Sequence, residues 1–396
     1  MKPSILFVTN AANWPLTDGK RQRTWFLIEA LSKKYVVDLL LLGPESEKVQ
    51  VEKSKSSINN LYFVDLKKYT FHQPGHPSFL ISKEKKKQNN LIYNAINQLV
   101  VNANEKMHYS YVFSRYLDPL LEFPFLLQYK TVCDIDDVYS EKTVTRIKSE
   151  TDFLRKLKLK VLFFLGLKKV ENVLGRIDFP IIVKKTDANF PKLKQAQCIP
   201  NLPFGFYVEK NENPVVAANL INSSITHYGF IGKLSYRPNY EGIIDFITTV
   251  WNPLMEKTSN AKFIIAGSGV MPEVLKTVIA NSKNIEVLGF VEKTVLFWDK
   301  IDVLIVPIAE GGGSNIKVAE AFMYGKSVMA SPFASRGYEE FIASDFFILP
   351  EKTEDWITEM LSFNKTSDTK QKEIAATANT HFDLEKWNQL VLHLMP

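Results

Sequence analysis

Short, unbroken apolar runs, each closed by a glycine, proline, asparagine or small residue, govern what this chain can fold into. Ile5-Leu6-Phe7-Val8 is the first, bounded by Asn10 and Pro15. Residues 36–42, 61–64, 111–113, 131–134 and 181–183 continue the series, and Cys198-Ile199-Pro200-Asn201 closes it. A run without polar alternation must be covered on both faces, which is the condition of a parallel strand between layers of helix. Between the first two runs, Trp25, Leu27, Ile28 and Leu31 recur at helical spacing, so the chain opens as strand, loop, helix, strand. Residues 208–226 are polar and read as a linker. A second series follows at residues 228–232, 262–267, 285–289, 303–307 and 327–330. The expectation is an α/β protein of two Rossmann-like units in series, with the site at the carboxyl edges of the strands and in a cleft between the units.

Length and charge agree with two bodies. The chain has 396 residues and a net charge of +6. Residues 1–200 hold 32 basic and 20 acidic residues, whereas residues 201–396 hold 17 and 23, so the halves carry +12 and −6. Two cysteines, Cys133 and Cys198, cannot build a disulfide framework and have no CxxC metal spacing. The apolar start is too short for a signal peptide, and no run approaches the roughly 20 residues that span a bilayer. A cytoplasmic protein is expected. The six histidines have no partners at metal or triad spacing and read as structural or surface residues.

The segment from Glu310 to Ala321 carries the clearest chemistry. Gly311, Gly312 and Gly313 let backbone approach a ligand closely, and Ser314-Asn315 leads into a helix whose first N–H groups suit a phosphate. Lys317 adds a point charge, and Glu320 can accept hydrogen bonds from ribose hydroxyls. A flexible loop before an ordinary helix is the plainer reading. The segment is not a P-loop, since GxxxxGK[ST] is absent. Asp134-Ile135-Asp136-Asp137 ends another strand. Three carboxylates that close need cations or hydrogen bonds, so they read as an acceptor contact, a general base, a metal site or a set of helix caps.

These segments resemble the retaining GT-B glycosyltransferases of the GT4-like family (glycosyltransferase group 1). That family usually carries Glu, seven residues, then Glu. Here the second is Glu320 and Gly312 stands in place of the first. The chain instead resembles a sub-group that reads Gly-Gly-Gly-(Ser/Thr)-x-x-Lys-x-x-Glu-Ala. Phe230-Ile231-Gly232-Lys233-Leu234 with Tyr236-Arg237-Pro238-Asn239, Ala266-Gly267-Ser268-Gly269 and Leu288-Gly289-Phe290-Val291 resemble further family segments in the family's order. The resemblance implies a GT-B architecture with residues 1–200 binding the acceptor, residues 201–378 binding the nucleotide sugar, and residues 379–396 crossing back onto the first domain. It implies Lys233, Lys317 and Asp137 as catalytic residues. Gly19, Arg23, Arg237, Gly289, Phe290, Val291, Gly311, Gly312, Gly313, Ser314, Asn315 and Glu320 would bind the donor. It implies a nucleotide-diphosphate sugar donor, a glycan or lipid-linked acceptor, no cofactor, no metal and no nucleic acid. A non-catalytic sugar-nucleotide-binding protein and an epimerase or phosphorylase of the same fold are the alternatives.

Residues 153–169 hold six basic residues and no acid, with apolar positions 154, 157, 161, 164 and 165 on one helical face. Two readings stand: a domain helix with that face in the core, or a helix lying at an anionic membrane surface. The latter would make the protein peripheral at the inner face of the membrane. Lys83, Lys85, Lys86 and Lys87 form a second basic cluster, for which a solvated face is the commoner outcome.

Overall fold

The structure is a computed structural model that describes residues 2–10, 14, 16, 19–54, 57–67, 69, 82–136, 147, 152–190, 192–212, 224–311 and 314–395. The chain divides into two compact units, Met1–Pro200 with Leu384–Pro396, and Asn201–Asp383.

In the first unit the apolar runs become β1 (Ser4–Thr9), β2 (Val36–Gly43), β3 (Leu61–Asp65), β4 (Tyr111–Arg115), β5 (Thr131–Ile135), β6 (Phe179–Ile182) and β7 (Gln197–Cys198). They form a parallel sheet in the order β3-β2-β1-β4-β5-β6-β7. Ile5, Leu6, Phe7 and Val8 are fully buried, and Phe7 stacks on Phe113 of the neighbouring strand at 4.9 Å. Two described carboxylates, Asp38 and Asp134, are buried on strands of this sheet. Asp38 accepts hydrogen bonds from the Tyr109 hydroxyl at 2.6 Å and from Asn59 and Asn60, which offset the cost of burying its charge. The helices of this half are α1 (Gly19–Ser32), α2 (Glu45–Glu52), α3 (Lys83–Met107), α4 (Asp118–Glu122) and α5 (Phe153–Leu174). The Lys83–Lys87 cluster forms the exposed first turn of α3, capped by Ser82, whose Oγ accepts from Lys85 N at 3.3 Å.

In the second unit come α6 (Phe204–Glu212), β8 (Thr226–Ile231), α7 (Arg237–Phe246), α8 (Asn252–Lys257), β9 (Ala261–Ala266), α9 (Glu273–Ala280) and β10 (Ile285–Gly289). They are followed by α10 (Val295–Trp298), β11 (Val303–Val306), α11 (Ile316–Met323), β12 (Ser327–Ala330), β13 (Phe347–Ile348), α12 (Thr353–Ser362) and α13 (Asp368–His381). The sheet is parallel in the order β10-β9-β8-β11-β12-β13. The expected linker is in part helix. α6 runs to Glu212, because Phe204 and Phe206 are buried and anchor it.

A final helix, α14 (Leu384–His393), packs on α1 within the first unit. Trp387 Nε1 donates to Pro200 O at 2.9 Å, Lys34 Nζ to Met395 O at 2.9 Å, and Lys33 meets Glu385 at 3.4 Å. Residues 379–383, expected in that tail, stay with the second unit.

Strand order fixes where each unit can hold a ligand. In each sheet the chain winds outward in one direction and then returns to the other side of its first strand. The carboxyl ends therefore part at β1 and β4 in the first unit, and at β8 and β11 in the second.

Candidate functional site

In the second unit, the loops after β8 and β11 meet at that parting. Gly311, with φ +129°, lies against Tyr236 and Pro238, and Glu310 approaches Arg237 at 3.8 Å. Between them stands Lys317, on the first turn of α11. Its ammonium lies 4.0 Å from the centre of the Phe230 ring and 3.4 Å from Asn239 Oδ1. No described carboxylate comes within 4 Å of it. Half-buried, with one amide and one ring face in place of water, it is pushed down to a pKa of about 7 by burial, the larger influence, against the pull of Glu320. Asn239, itself buried, is fixed because its Nδ2 donates to Lys233 O at 2.9 Å. Gly232 leaves the room: a Cβ there would stand 2.9 Å from Lys317 Nζ and 3.0 Å from Asn239 Nδ2.

Glu320 lies one turn further along α11. Burial first, then the neighbouring Glu209 charge, pushes its carboxyl up to about 7, opposed by Lys317. Glu209 comes from α6. It accepts from Thr294 N at 2.5 Å, from Val295 N at 3.1 Å and from the Tyr324 hydroxyl at 3.1 Å, so it closes the start of α10. Sequence reasoning missed Glu209, because residues 208–226 read as linker. A glutamate following the apolar Phe204–Val208 run was the available signal.

The start of α11 has no side-chain cap. The Asn315 amide donates instead to Ala334 O at 3.3 Å, while Asn315 O accepts from the buried Tyr338 hydroxyl at 2.8 Å. Ser314 accepts from Asn201 Nδ2 at 3.2 Å. A helix start with a lysine on its first turn carries a field that favours an anion.

The other sequence-predicted residues fall into three groups. Lys233 is exposed beside this arrangement, and exposed Arg237 is tied to Glu241 at 2.8 Å on its own helix. Gly289, with φ +68°, accepts from Gly267 N at 2.8 Å, and Gly232 N in turn donates to Ala266 O, so the ends of β10, β9 and β8 form one edge. Phe290 on that edge is exposed and Val291 half-buried. Gly312, Gly313 and Asp137 lie outside the described residues.

In the first unit Gly19 is the first residue of α1. Arg23, expected at the donor, is fully buried, and its guanidinium grips Asp134 through Nε at 2.9 Å and Nη2 at 2.8 Å. It also donates to the carbonyls of Ile199 and Pro200 and lies against the Trp387 ring. Asp134 is equally buried and meets Arg115 at 3.1 Å, which reaches Asp136 at 3.0 Å. Asp134 and Asp136 thus neutralise two buried arginines at the end of β5. Arg115, absent from the sequence reading, is held more firmly protonated by Asp134 and Asp136 in spite of burial.

Residues 226–363 match the family model described as glycosyl transferases group 1. No curated protein matches the sequence. Solved structures match throughout its length. HepE of Anabaena in complex with UDP is 14% identical, with 98% of each chain covered and a TM-score of 0.62. The E. coli trehalose-6-phosphate protein bound with UDP-2-fluoro glucose is 12% identical, with 99% of each chain covered and a TM-score of 0.63. Sucrose-phosphate synthase of Thermosynechococcus elongatus is 13% identical, with 100% of this chain and 95% of that one covered and a TM-score of 0.57. This likeness establishes the GT-B fold. Lys317, Glu320, Gly311 and the Gly232 turn all fall inside the matched residues.

Proposed function

We propose that this protein is a retaining glycosyltransferase of the GT4-like kind, moving a sugar from a nucleotide-diphosphate sugar to a hydroxyl of a glycan or lipid-linked acceptor in cell-surface polysaccharide or glycoconjugate synthesis. One observation carries the reading: a lysine ammonium with no described carboxylate within 4 Å, held at the uncapped start of α11 where the sheet order parts, with Glu320 one turn beyond. A diphosphate supplies the missing anion, and Glu320 accepts from the ribose. That relatives of the same fold are bound with UDP and with UDP-2-fluoro glucose supports a uridine nucleotide among the donors to try first.

In this reading the bond between the anomeric carbon and the diphosphate oxygen breaks while the acceptor oxygen bonds to that carbon from the same face. The acceptor proton passes to a leaving-group oxygen, or to Asp137 acting as base. Negative charge grows on the diphosphate, where Lys317, Lys233 and the N–H groups at the start of α11 oppose it. Two unit charges about 4 Å apart interact by roughly 4 kcal/mol at an effective dielectric of 20. The chemistry proposed asks for no metal or cofactor.

Thermal shift against UDP-, GDP- and ADP-sugars, then nucleoside diphosphate release with a hydroxyl acceptor, tests the reading. A shift with one donor and release that fails in Lys317→Ala and Glu320→Ala is expected. Near-wild-type release in both variants sinks the site. A shift without transfer to any acceptor would return the alternative of a non-catalytic binding protein.

A further inference from the structure

α5 is amphipathic in the wrong direction for a core helix. Gly166, Val170, Val173 and Leu174 are buried and mark the side that faces the first unit. At about 100° per residue, Phe153, Leu154, Leu157, Val161, Phe164 and Leu165 occupy an arc of about 120° centred opposite that side. All six are exposed, Phe153 by 75% and Phe164 by 78%. An apolar stripe of this size turned to water marks an interaction surface.

Charge says what covers it. Exposed Lys158 and Lys160 stand one on each side of the stripe, with exposed Arg155 beyond and Lys168 at its far end. Their long stems let the ammonium groups sit level with the rings or above them. Between the capping Asp152 and Glu171 the helix carries no acid. A protein partner could offer acidic side chains, but a stripe of phenylalanine and leucine flanked on both sides by lysine matches a continuous apolar layer under a sheet of negative headgroups.

We propose that α5 docks this protein on an anionic lipid surface, lying along it with Phe153, Leu157, Val161 and Phe164 entering the acyl boundary and the lysines among the headgroups. Among the described residues no helix is long and apolar enough to cross a membrane. The proposal is independent of the transfer reading, since its assay contains no sugar nucleotide.

The test is cosedimentation of the full chain with vesicles of phosphatidylcholine alone or mixed with phosphatidylserine. Binding to the mixed vesicles is expected, weakening as salt is raised. Phe153→Ser with Phe164→Ser should lower it about tenfold or more at unchanged circular dichroism, because both side chains are already in water in the free protein. Lys158→Glu with Lys160→Glu should abolish the preference for anionic vesicles. The proposal is overturned if the wild type fails to bind mixed vesicles at low salt, or binds both compositions alike. It is equally overturned if the serine variant binds as the wild type does. It also falls if the wild type is a dimer without vesicle affinity that the serine variant splits, which would assign the stripe to a second copy.

Discussion

At the residue scale, Lys317 and Glu320 are held in protonation states that a ligand would change. The ammonium is pushed down to about 7 and the carboxyl up to about 7, both chiefly by burial. For Glu320 the folded state keeps a proton between about pH 4.5 and 7 that the unfolded chain has lost, so its contribution to stability falls as pH rises through that window. For Lys317 the unfolded chain holds the extra proton between about pH 7 and 10.5, so stability recovers as pH rises there. The pair therefore places a minimum near pH 7 in the thermal midpoint of the free protein. Glu320→Gln should raise the midpoint at pH 8 and leave it unchanged at pH 4, read by calorimetry. A bound diphosphate would draw a proton onto Lys317. Titrating the nucleotide at pH 8 in buffers of different ionisation enthalpy should show that uptake, and Lys317→Met should lose it. Gly232→Ala bears on both fold and function: its new Cβ meets the movable end of Lys317 and the buried, hydrogen-bonded Asn239 amide, so transfer should fall by about tenfold or more and the midpoint should fall with it.

At the scale of elements, α14 is pinned by few groups. Trp387 is buried, covers Arg23 and hydrogen-bonds Pro200 O. Trp387→Ala should cost about 3–5 kcal/mol in urea unfolding, from the lost ring and the cavity. Arg23→Met should cost a similar amount, about 3–5 kcal/mol, because it leaves Asp134 with Arg115 as its remaining ion-pair partner. Neither role was legible. A basic first turn on α1 looks the same in sequence whether its arginine meets a ligand or a buried aspartate 111 residues away. Glu209 was hidden for a related reason: its partners Thr294, Val295 and Tyr324 lie 85 to 115 residues distant. Lys317 and Glu320 were legible because glycines, lysine and glutamate share one short segment, and the elements they need, a strand before and a helix after, are local.

At the scale of the whole molecule, the opposed charges of the two halves take on separate meanings. The +12 half includes α5 with Lys158, Lys160 and Lys168 turned outward, whereas the −6 half places Lys233, Arg237 and Lys317, three of its 17 cations, around one strand edge. A nucleotide sugar should therefore slow hydrogen exchange in residues 230–239, 266–269 and 309–322 of the second unit and leave α5 unaffected. Slowing confined to the first unit would contradict the assignment of the donor.

The alternation of apolar runs and helical stretches determined by itself that the chain folds as two parallel sheets. A strand with no polar face has no other way to leave water on both sides. The sequence also determined which loops can approach an anion, since glycine and lysine act over a few residues. Only the tertiary structure decided which way each face turns. The apolar stripe of α5 suits a core equally well on paper. What faces outward depends on the small residue Gly166 and on Val170, Val173 and Leu174, which take the inward side and leave the phenylalanines in water.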